Sequence, residues 1–144
     1  MSTLLRFARL PFADQLLLAE ALVWLAAWRL LILLFPFKKL MPTPSAPADG
    51  ASPSLGLAQS TLAARVGWAV EAVGRRTPWR STCLVQAAAG KAMLRRRGIG
   101  STLFIGVQPT EADSLKAHAW LQCGGRILTG ASGHGAYRVL STFS

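Results

Sequence analysis

Apolar residues run almost without interruption through residues 16–35, LLLAEALVWLAAWRLLILLF. A run of about 20 apolar residues is long enough to cross a bilayer as a helix, and Pro36 predicts its end. Glu20 and Arg29 interrupt the run on nearly opposite faces of such a helix, where they do not neutralise each other. We therefore expect residues 1–41 to form an apolar helical segment that packs against the domain or lies on a membrane surface, in preference to a span.

The next segment, residues 42–56 (PTPSAPADGASPSLG), is rich in Pro, Ser and Ala and is predicted to be a linker. After it, Ser60 or Thr61 is a suitable N-cap for a helix, and Gly74 is a suitable end. Between them apolar residues recur at steps of three and four, as a helix buried on one side requires: Leu62, Val66, Ala69, Val70 and Val73. Residues 57–144 are predicted to form the folded core.

A second core helix is predicted within the stretch RSTCLVQAAAGKAMLRRRGIG. Ser81 or Thr82 is a good N-cap, the Ala-rich stretch favours a helix, and Gly98 favours its end. Three arginines, residues 95–97, fall at the negative end of the helix dipole. Cys83 is thereby predicted in the first helical turn.

Alternating β-branched and apolar residues then predict a small antiparallel sheet. The strands are STLFIGV, AHAWLQC, RILTG and YRVLSTF, with the loop QPTEADSLK after the first and a Gly-Gly turn after the second. The predicted fold class is therefore α+β, with N-terminal helices followed by a core in which the Cys83 helix packs on the sheet.

Composition limits the function classes. The 144 residues suit one domain with one site, and the net charge of +10 with a pI near 11.4 predicts a surface that attracts anions. The arginine run has no alternating aromatic residues, so nucleic acid is not the expected partner. Two cysteines without C-x-x-C spacing indicate neither a disulfide scaffold nor zinc. With no P-loop or dinucleotide turn, we expect no cofactor or metal.

Cys83 and His118 are the candidate catalytic residues. A thiol at a helix N-terminus meets the positive end of the dipole and spare N–H groups, both of which favour thiolate, and the N–H of Cys83 can itself bind an oxyanion. His118 lies in the middle of a predicted strand, a rigid place for a base. Each residue taken alone is more often structural, a buried small hydrophobe and a core imidazole.

The motifs around Cys83 and His118 favour a catalytic role for both residues over a structural one. PWRSTCLVQAAAGKAMLRRRGI, LFIGV, KAHAWLQCGGRILTG and YRVLSTF closely resemble the peptidase that removes the leader from lasso-peptide precursors, the peptidase half of the two-part B protein. The resemblance covers residues 16–144, and that family is transglutaminase-like. It implies a transglutaminase-like or papain-like core in which Cys83 is the nucleophile and His118 is the base.

The sequence departs from this pattern at one position. Family members commonly carry an Asp twelve residues after the histidine to orient its ring, and here that residue is Gly130. A hairpin turning near residue 124 places position 130, within one residue, across from His118. The ring could be oriented by a backbone carbonyl or by one of four side chains: Thr129, Ser132, His134 or Glu71.

Three more side chains are candidates for the cleft. Trp79 and Trp120 flank the two catalytic candidates and could form its walls, although buried tryptophan is usually packing. Gln86 follows Cys83 by three residues and could help bind an oxyanion, against the more common case of a surface glutamine.

The resemblance implies a cysteine endopeptidase that cuts a lasso-peptide precursor at the junction of leader and core through a Cys thioester. The chain has no separate leader-binding domain, so the implied partners are the precursor peptide, a small leader-recognition protein and the lasso cyclase. The expected location is the cytoplasm, either free or membrane-associated through the N-terminal helix. The alternatives are a transglutaminase-like acyltransferase and a catalytically weakened basic binding protein that lacks the usual third residue.

Overall fold

The computed structural model describes residues 3–36, 39, 55–77, 82–109, 115–131 and 137–143. Within these residues the chain forms four helices followed by a four-stranded antiparallel sheet in the order β3-β2-β1-β4, which confirms the predicted α+β class. The helices are α1 (Thr3–Ala8), α2 (Phe12–Leu34), α3 (Leu57–Gly74) and α4 (Cys83–Arg96). The strands are β1 (Thr102–Pro109), β2 (Leu115–Cys123), β3 (Arg126–Thr129) and β4 (Arg138–Phe143).

The predicted apolar helix is α2, which packs on both α3 and α4. One side of it is buried in the core through Leu17, Ala21 and Leu25, at the spacing of successive helical turns. Its two carboxylates are paired with the core helices: Asp14 binds Arg65 of α3, and Glu20 binds Arg96 and Arg97 at the end of α4. Most of the linker predicted over residues 42–56 lies outside the described residues.

Helix α3 begins earlier than its sequence predicts. Its N-cap is Gly56, and neither Ser60 nor Thr61 caps it. The hydroxyl of Thr61 instead donates to the carbonyl of Leu57, one turn back, at 2.9 Å. A threonine hydroxyl can bond to the backbone both as an N-cap and from a position inside the helix, so the sequence pattern could not distinguish the two. The end at Gly74 is as predicted.

Helix α4 has the predicted ends. Thr82 is the N-cap, and its hydroxyl accepts a hydrogen bond from the N–H of Val85 at 3.4 Å. At the other end, the N–H groups of Gly98 and Ile99 return to carbonyls of the last turn, and Gly98 takes the left-handed φ of 70° that closes such a motif. Because Thr82 is the cap, Cys83 is the first residue of the helix.

The sheet has the predicted hairpin. Gly124 and Gly125 form its two-residue turn with φ of 56° and 79°, which favours glycine at both positions. Strand β2 pairs with β3 through Cys123↔Arg126, and a bulge next to Leu121 shifts the register so that Leu121 faces Thr129. On its other side β2 pairs with β1 without interruption, from Thr102↔Gln122 to Pro109↔Leu115.

The core lies between the three long helices and one face of the sheet. Gly90 in the middle of α4 packs so closely on β2 that a Cβ there would lie 2.8 Å from a methyl group of Leu121. Gly67 of α3 packs equally closely on the backbone of Leu128 in β3. These two glycines let the helices approach the sheet at backbone distance, and they fix which face of the sheet is covered.

Candidate active site

Cys83 is half-buried at the start of α4. The N–H groups of Cys83 and Leu84 have no partner within the helix, since the first amides of a helix precede its hydrogen-bond ladder. The N–H groups of Val85 and Gln86 are taken up by the side chain and the carbonyl of Thr82. The thiol thus lies beside two donors of the kind that an oxyanion needs.

His118 lies on β2, and its ring is held on several sides. Nε2 lies 2.6 Å from the carbonyl oxygen of Gly130. The ring stacks on Trp120 at a centroid distance of 5.9 Å and meets the ring of Tyr137 at 5.0 Å. The imidazole therefore has one fixed orientation, set by a hydrogen bond on one nitrogen and by aromatic rings on its surfaces.

The contact with Gly130 determines which nitrogen is available for chemistry. A carbonyl oxygen only accepts hydrogen bonds, so Nε2 must carry the proton that it donates. In the neutral ring Nδ1 then has the free lone pair and is the nitrogen that can act as a base. Of the groups that the sequence offered as orienters, the structure supports the backbone carbonyl.

Gly130 is suited to this role by its lack of a side chain. Its φ is 72°, in the left-handed region that favours glycine, and a Cβ there would lie 2.5 Å from the carbonyl oxygen of Ala119. In this backbone conformation no aspartate fits at position 130. At this position the main-chain carbonyl of Gly130 contacts the ring in place of a side chain.

Gly106 and Tyr137 belong to the surroundings of His118, and sequence reasoning missed both. Gly106 pairs with His118 across β1 and β2, and a Cβ there would lie 2.8 Å from the Cβ of Tyr137 and 2.9 Å from the Trp120 ring. Phe104 completes the group by stacking on Trp120 at 5.5 Å. The sequence signal that could have found this group is Gly106 itself, because a glycine inside a strand often marks a position where another part of the chain approaches the backbone closely.

Helix α4 packs on strand β2. Gly90 in the middle of the helix lies on Leu121 of the strand. Cys123 at the end of β2 donates its S–H to the carbonyl of Gly100 at 3.3 Å, a few residues past the C-terminal end of α4. These contacts join the middle of the helix and the loop after it to the C-terminal half of β2.

Cys83 and His118 lie on two elements that pack on each other. Cys83 precedes Gly90 by about 10 Å along the helix, at about 1.5 Å per residue. His118 precedes Leu121 by about 10 Å along the strand, at about 3.3 Å per residue. Each candidate is therefore about 10 Å along its own element from the contact between Gly90 and Leu121.

The ring and the helix nevertheless lie on different faces of the sheet. Leu121 points at α4, and His118, an odd number of positions away, points to the other face with Trp120. In the described residues the registered pairing of β2 with β3 runs from Cys123↔Arg126 to Leu121↔Thr129, three residues beyond His118. No side-chain hydrogen bond joins Cys83 to His118 in the described part of the chain, and the catalytic pair stays a prediction.

The other candidates are spread around this centre. The Thr129 hydroxyl is fully buried, with no hydrogen-bond partner in the described structure, on the α4 side of the sheet. Gln86 lies against Gly74 at the end of α3, and Glu71 lies in the last turn of that helix. Trp120 is buried beneath His118. Trp79, Ser132 and His134 lie outside the described residues.

Cys123 differs from Cys83 in its environment. It is buried, burial raises the pKa of its thiol, and its S–H is engaged by Gly100. Both cysteines are free, and Cys83 is the more accessible of the two because it is half-buried whereas Cys123 is buried. Within the described ranges no three His, Cys, Asp or Glu side chains are grouped as a metal site would require.

The sequence profile of the Transglutaminase-like superfamily matches residues 22–142, from the middle of α2 to the end of β4. The chain belongs to the transglutaminase-like superfamily. No curated protein and no solved structure gives a significant match.

The transglutaminase-like superfamily includes cysteine proteases and related acyl-transfer enzymes. The match includes both Cys83 and His118, together with all four strands of the sheet. Membership therefore supports thiol-dependent acyl chemistry as the general class for this chain, and the substrate is a separate question.

Proposed function

We propose that the chain is a cysteine endopeptidase that removes the leader peptide from a lasso-peptide precursor, with Cys83 as nucleophile and His118 as base. The observation that carries the chemistry is the fixed His118 ring, which donates from Nε2 to Gly130 and so keeps Nδ1 available as a proton acceptor. Membership of the transglutaminase-like superfamily supports the reaction class. The substrate class is proposed from the resemblance of the motifs around Cys83 and His118 alone.

The first step transfers the proton of the Cys83 thiol to Nδ1 of His118 while the sulfur attacks the carbonyl carbon of the scissile amide. The tetrahedral oxyanion accepts hydrogen bonds from the first N–H groups of α4, those of Cys83 and Leu84. The imidazolium then protonates the leaving nitrogen, the C–N bond breaks, and the core peptide departs with a free amine.

The second step releases the leader. Because the leader lies N-terminal to the cut, its last carbonyl is held as a thioester on Cys83. Water attacks this carbonyl and gives its proton to Nδ1, and the thiolate leaves and regains a proton from the ring. The products are a leader with a free carboxylate and a core with a free amine, which a cyclase can use.

The proposal requires the thiol to reach the ring from the other face of the sheet. Cys83 is the first residue of α4, and α4 packs on β2, the strand that carries His118. In this account the sulfur meets Nδ1 at the N-terminal end of α4, and the peptide substrate lies over that end.

The partners in this proposal are those that the resemblance to lasso-peptide leader peptidases implies. A precursor peptide is delivered by a small leader-recognition protein, and the lasso cyclase acts on the released core. The net charge of +10 favours a partner or a leader that carries carboxylates.

The test is incubation of the full chain with the precursor and the recognition protein encoded nearby, followed by mass analysis of the products. The expected result is one cut at the leader–core junction, lost in Cys83→Ala and retained in Cys123→Ala. Cutting that persists in Cys83→Ala, or no cutting by a folded wild-type chain, contradicts the proposal.

An acyltransferase is the second candidate because it uses the same thioester and the same superfamily chemistry. It differs in passing the acyl group to an amine in place of water. Adding a small primary amine to the reaction distinguishes the two. A hydrolase yields mainly leader carboxylate, whereas an acyltransferase yields mainly the leader amide.

A further inference from the structure

The outward side of α2 is apolar along its whole length. At alternating steps of four and three residues it presents an exposed row, here named the α2 seam: Phe12, Leu16, Ala19, Val23, Ala26, Leu30 and Leu33. The helix also buries an apolar side in the core, through Leu17, Ala21 and Leu25. A helix that is apolar on opposite sides is covered on both in its working state.

The exposure is concentrated in this part of the molecule. Among the described residues, eleven of the fourteen exposed large apolar side chains lie between Leu4 and Phe35. Several keep more than half of their surface in water, including Phe12 at 73%, Val23 at 65% and Leu33 at 64%. Exposed apolar surface on this scale in a monomer marks a docking surface.

The charges near the seam are positive. The two carboxylates of α2 are turned inward, because Asp14 is paired with Arg65 and Glu20 with Arg96 and Arg97. The exposed charges flanking the seam are Arg6 and Arg9 at one end and Lys39 at the other. An apolar strip with cations at both ends is complementary to the surface of an anionic bilayer.

The same ion pairs argue against a span. Although α2 is long and apolar enough to cross a bilayer, three of its side chains are buried in the core, and Glu20 is held by two arginines of α4. Inserting α2 across the membrane would break these contacts and leave Glu20 in hydrocarbon. A helix that stays docked on its domain can present only its outer side to lipid.

A second copy of the chain fits the seam less well. Two copies docked seam to seam would bring together two chains of charge +10, with Arg6 and Arg9 of each near the contact. Like charges at an interface oppose association, most strongly at low salt. An anionic lipid surface turns the same charges into an attraction.

We propose that the α2 seam binds the surface of an anionic lipid bilayer, with α2 lying in the plane of the headgroups and the domain remaining outside the membrane. This surface is separate from the Cys83 and His118 site and does not depend on the reaction that the site catalyses. It would hold the protein at the cytoplasmic face of a membrane as a peripheral protein.

The test is flotation of the full chain with vesicles of an equimolar mixture of phosphatidylglycerol and phosphatidylcholine, and with vesicles of phosphatidylcholine alone. The expected result is flotation with the anionic vesicles, weakened by salt, and little with the neutral ones. Treatment with alkaline carbonate should release the protein, since peripheral proteins are extracted and spanning ones are not.

Three variants locate the binding surface. Leu16→Ser with Val23→Ser and Leu30→Ser should lower the partition onto anionic vesicles by at least about tenfold, because three inserted side chains lose their apolar contact. Arg6→Glu with Arg9→Glu should lower it by a similar factor. Leu57→Ser with Val139→Ser, which changes exposed apolar side chains outside α1 and α2, is the matched control and should not change it.

The seam changes replace exposed side chains, so circular dichroism and the unfolding midpoint should remain close to those of the wild type. Failure to float with anionic vesicles overturns the proposal, as does equal loss in the seam and control variants. Resistance to carbonate would show a span in place of surface binding. Self-association that depends on the seam and that anionic vesicles do not disperse would assign the seam to a second copy.

Discussion

Nε2 of His118 lies 2.6 Å from the carbonyl oxygen of Gly130, so a main-chain group orients the imidazole that the sequence identifies as the base. The carbonyl can reach the ring because Gly130 adopts a φ of 72° and has no Cβ to meet Ala119. The geometry of one glycine thereby determines which ring nitrogen carries the proton.

Gly130→Ala is expected to reduce kcat by about tenfold or more, because its Cβ would lie 2.5 Å from the Ala119 carbonyl and displace the group that orients His118. Gly125→Ala is the matched control, with a φ of 79° and open space around its Cβ. Both variants have the same backbone strain, on the order of 1 kcal/mol. Unfolding midpoints should fall in both variants, and further in Gly130→Ala because of the contact with Ala119. Steady-state cleavage rates, measured at a temperature where both variants are folded, should fall in Gly130→Ala alone. Equal activity in the two variants would exclude a role for the carbonyl.

The neutral His118 ring is expected to be the tautomer with hydrogen on Nε2, because the Gly130 carbonyl can only accept. Two-bond ¹⁵N–¹H correlation spectra distinguish the two tautomers, and His118→Gln assigns the signal. A neutral ring with its hydrogen on Nδ1 would have its lone pair on Nε2. Nδ1 could then not accept the thiol proton, which would contradict the mechanism.

Gly106→Ala is expected to destabilise the protein by about 1–3 kcal/mol, because its Cβ would be forced against Tyr137 and the Trp120 ring. Gly100→Ala is the control, since nothing lies within 4 Å of a Cβ there. Chemical denaturation measures both variants. If the two changes have equal effects, the aromatic rings are not closely packed around Gly106.

Glu20→Gln is expected to reduce the stability at pH 7 by about 1 kcal/mol, because it removes a charged hydrogen-bond partner of Arg97. That hydrogen bond holds the pKa of Glu20 below its ordinary value of 4.5. A lowered pKa in the folded state gives stabilisation that is complete above the unfolded value and is lost as pH falls through the folded one.

The difference in unfolding free energy between wild type and Glu20→Gln should therefore vanish as the pH falls below 4.5 and through the lowered pKa of Glu20. Glu71→Gln, at a carboxylate with no ion pair in the described structure, should show no such convergence. Denaturation midpoints measured from neutral to acid pH test both. A constant gap between wild type and Glu20→Gln would mean that the ion pair does not hold α2 on α4.

Local chemistry made much of the fold predictable from the sequence. The Thr82 cap, the end of α4 at Gly98 and the Gly124–Gly125 turn each depend on residues a few positions apart, and all three are confirmed. The predicted start of α3 was wrong because the Thr61 hydroxyl bonds to the backbone within the helix. The sequence pattern does not distinguish this bond from an N-cap.

The surroundings of His118 were predictable only in part. The hairpin geometry correctly indicated that residue 130 lies near the ring, although the contact is between the ring and a carbonyl, beyond the last paired residues of β2 and β3. Gly106 lies on β1 and Tyr137 directly precedes β4, and the pairing of β1 with β4 has a register shift next to Gly106. Such contacts depend on strand pairing across the whole sheet, which local patterns do not specify.

The rate of alkylation of Cys83 by iodoacetamide, followed by peptide mass analysis, tests most directly whether the Cys83 sulfur is activated by His118. The pairing predicts that Cys83 reacts much faster than Cys123, which is buried and bonded to Gly100, and that His118→Ala slows Cys83 by at least about tenfold. Cys83 reacting at the same rate in wild type and a folded His118→Ala would contradict it.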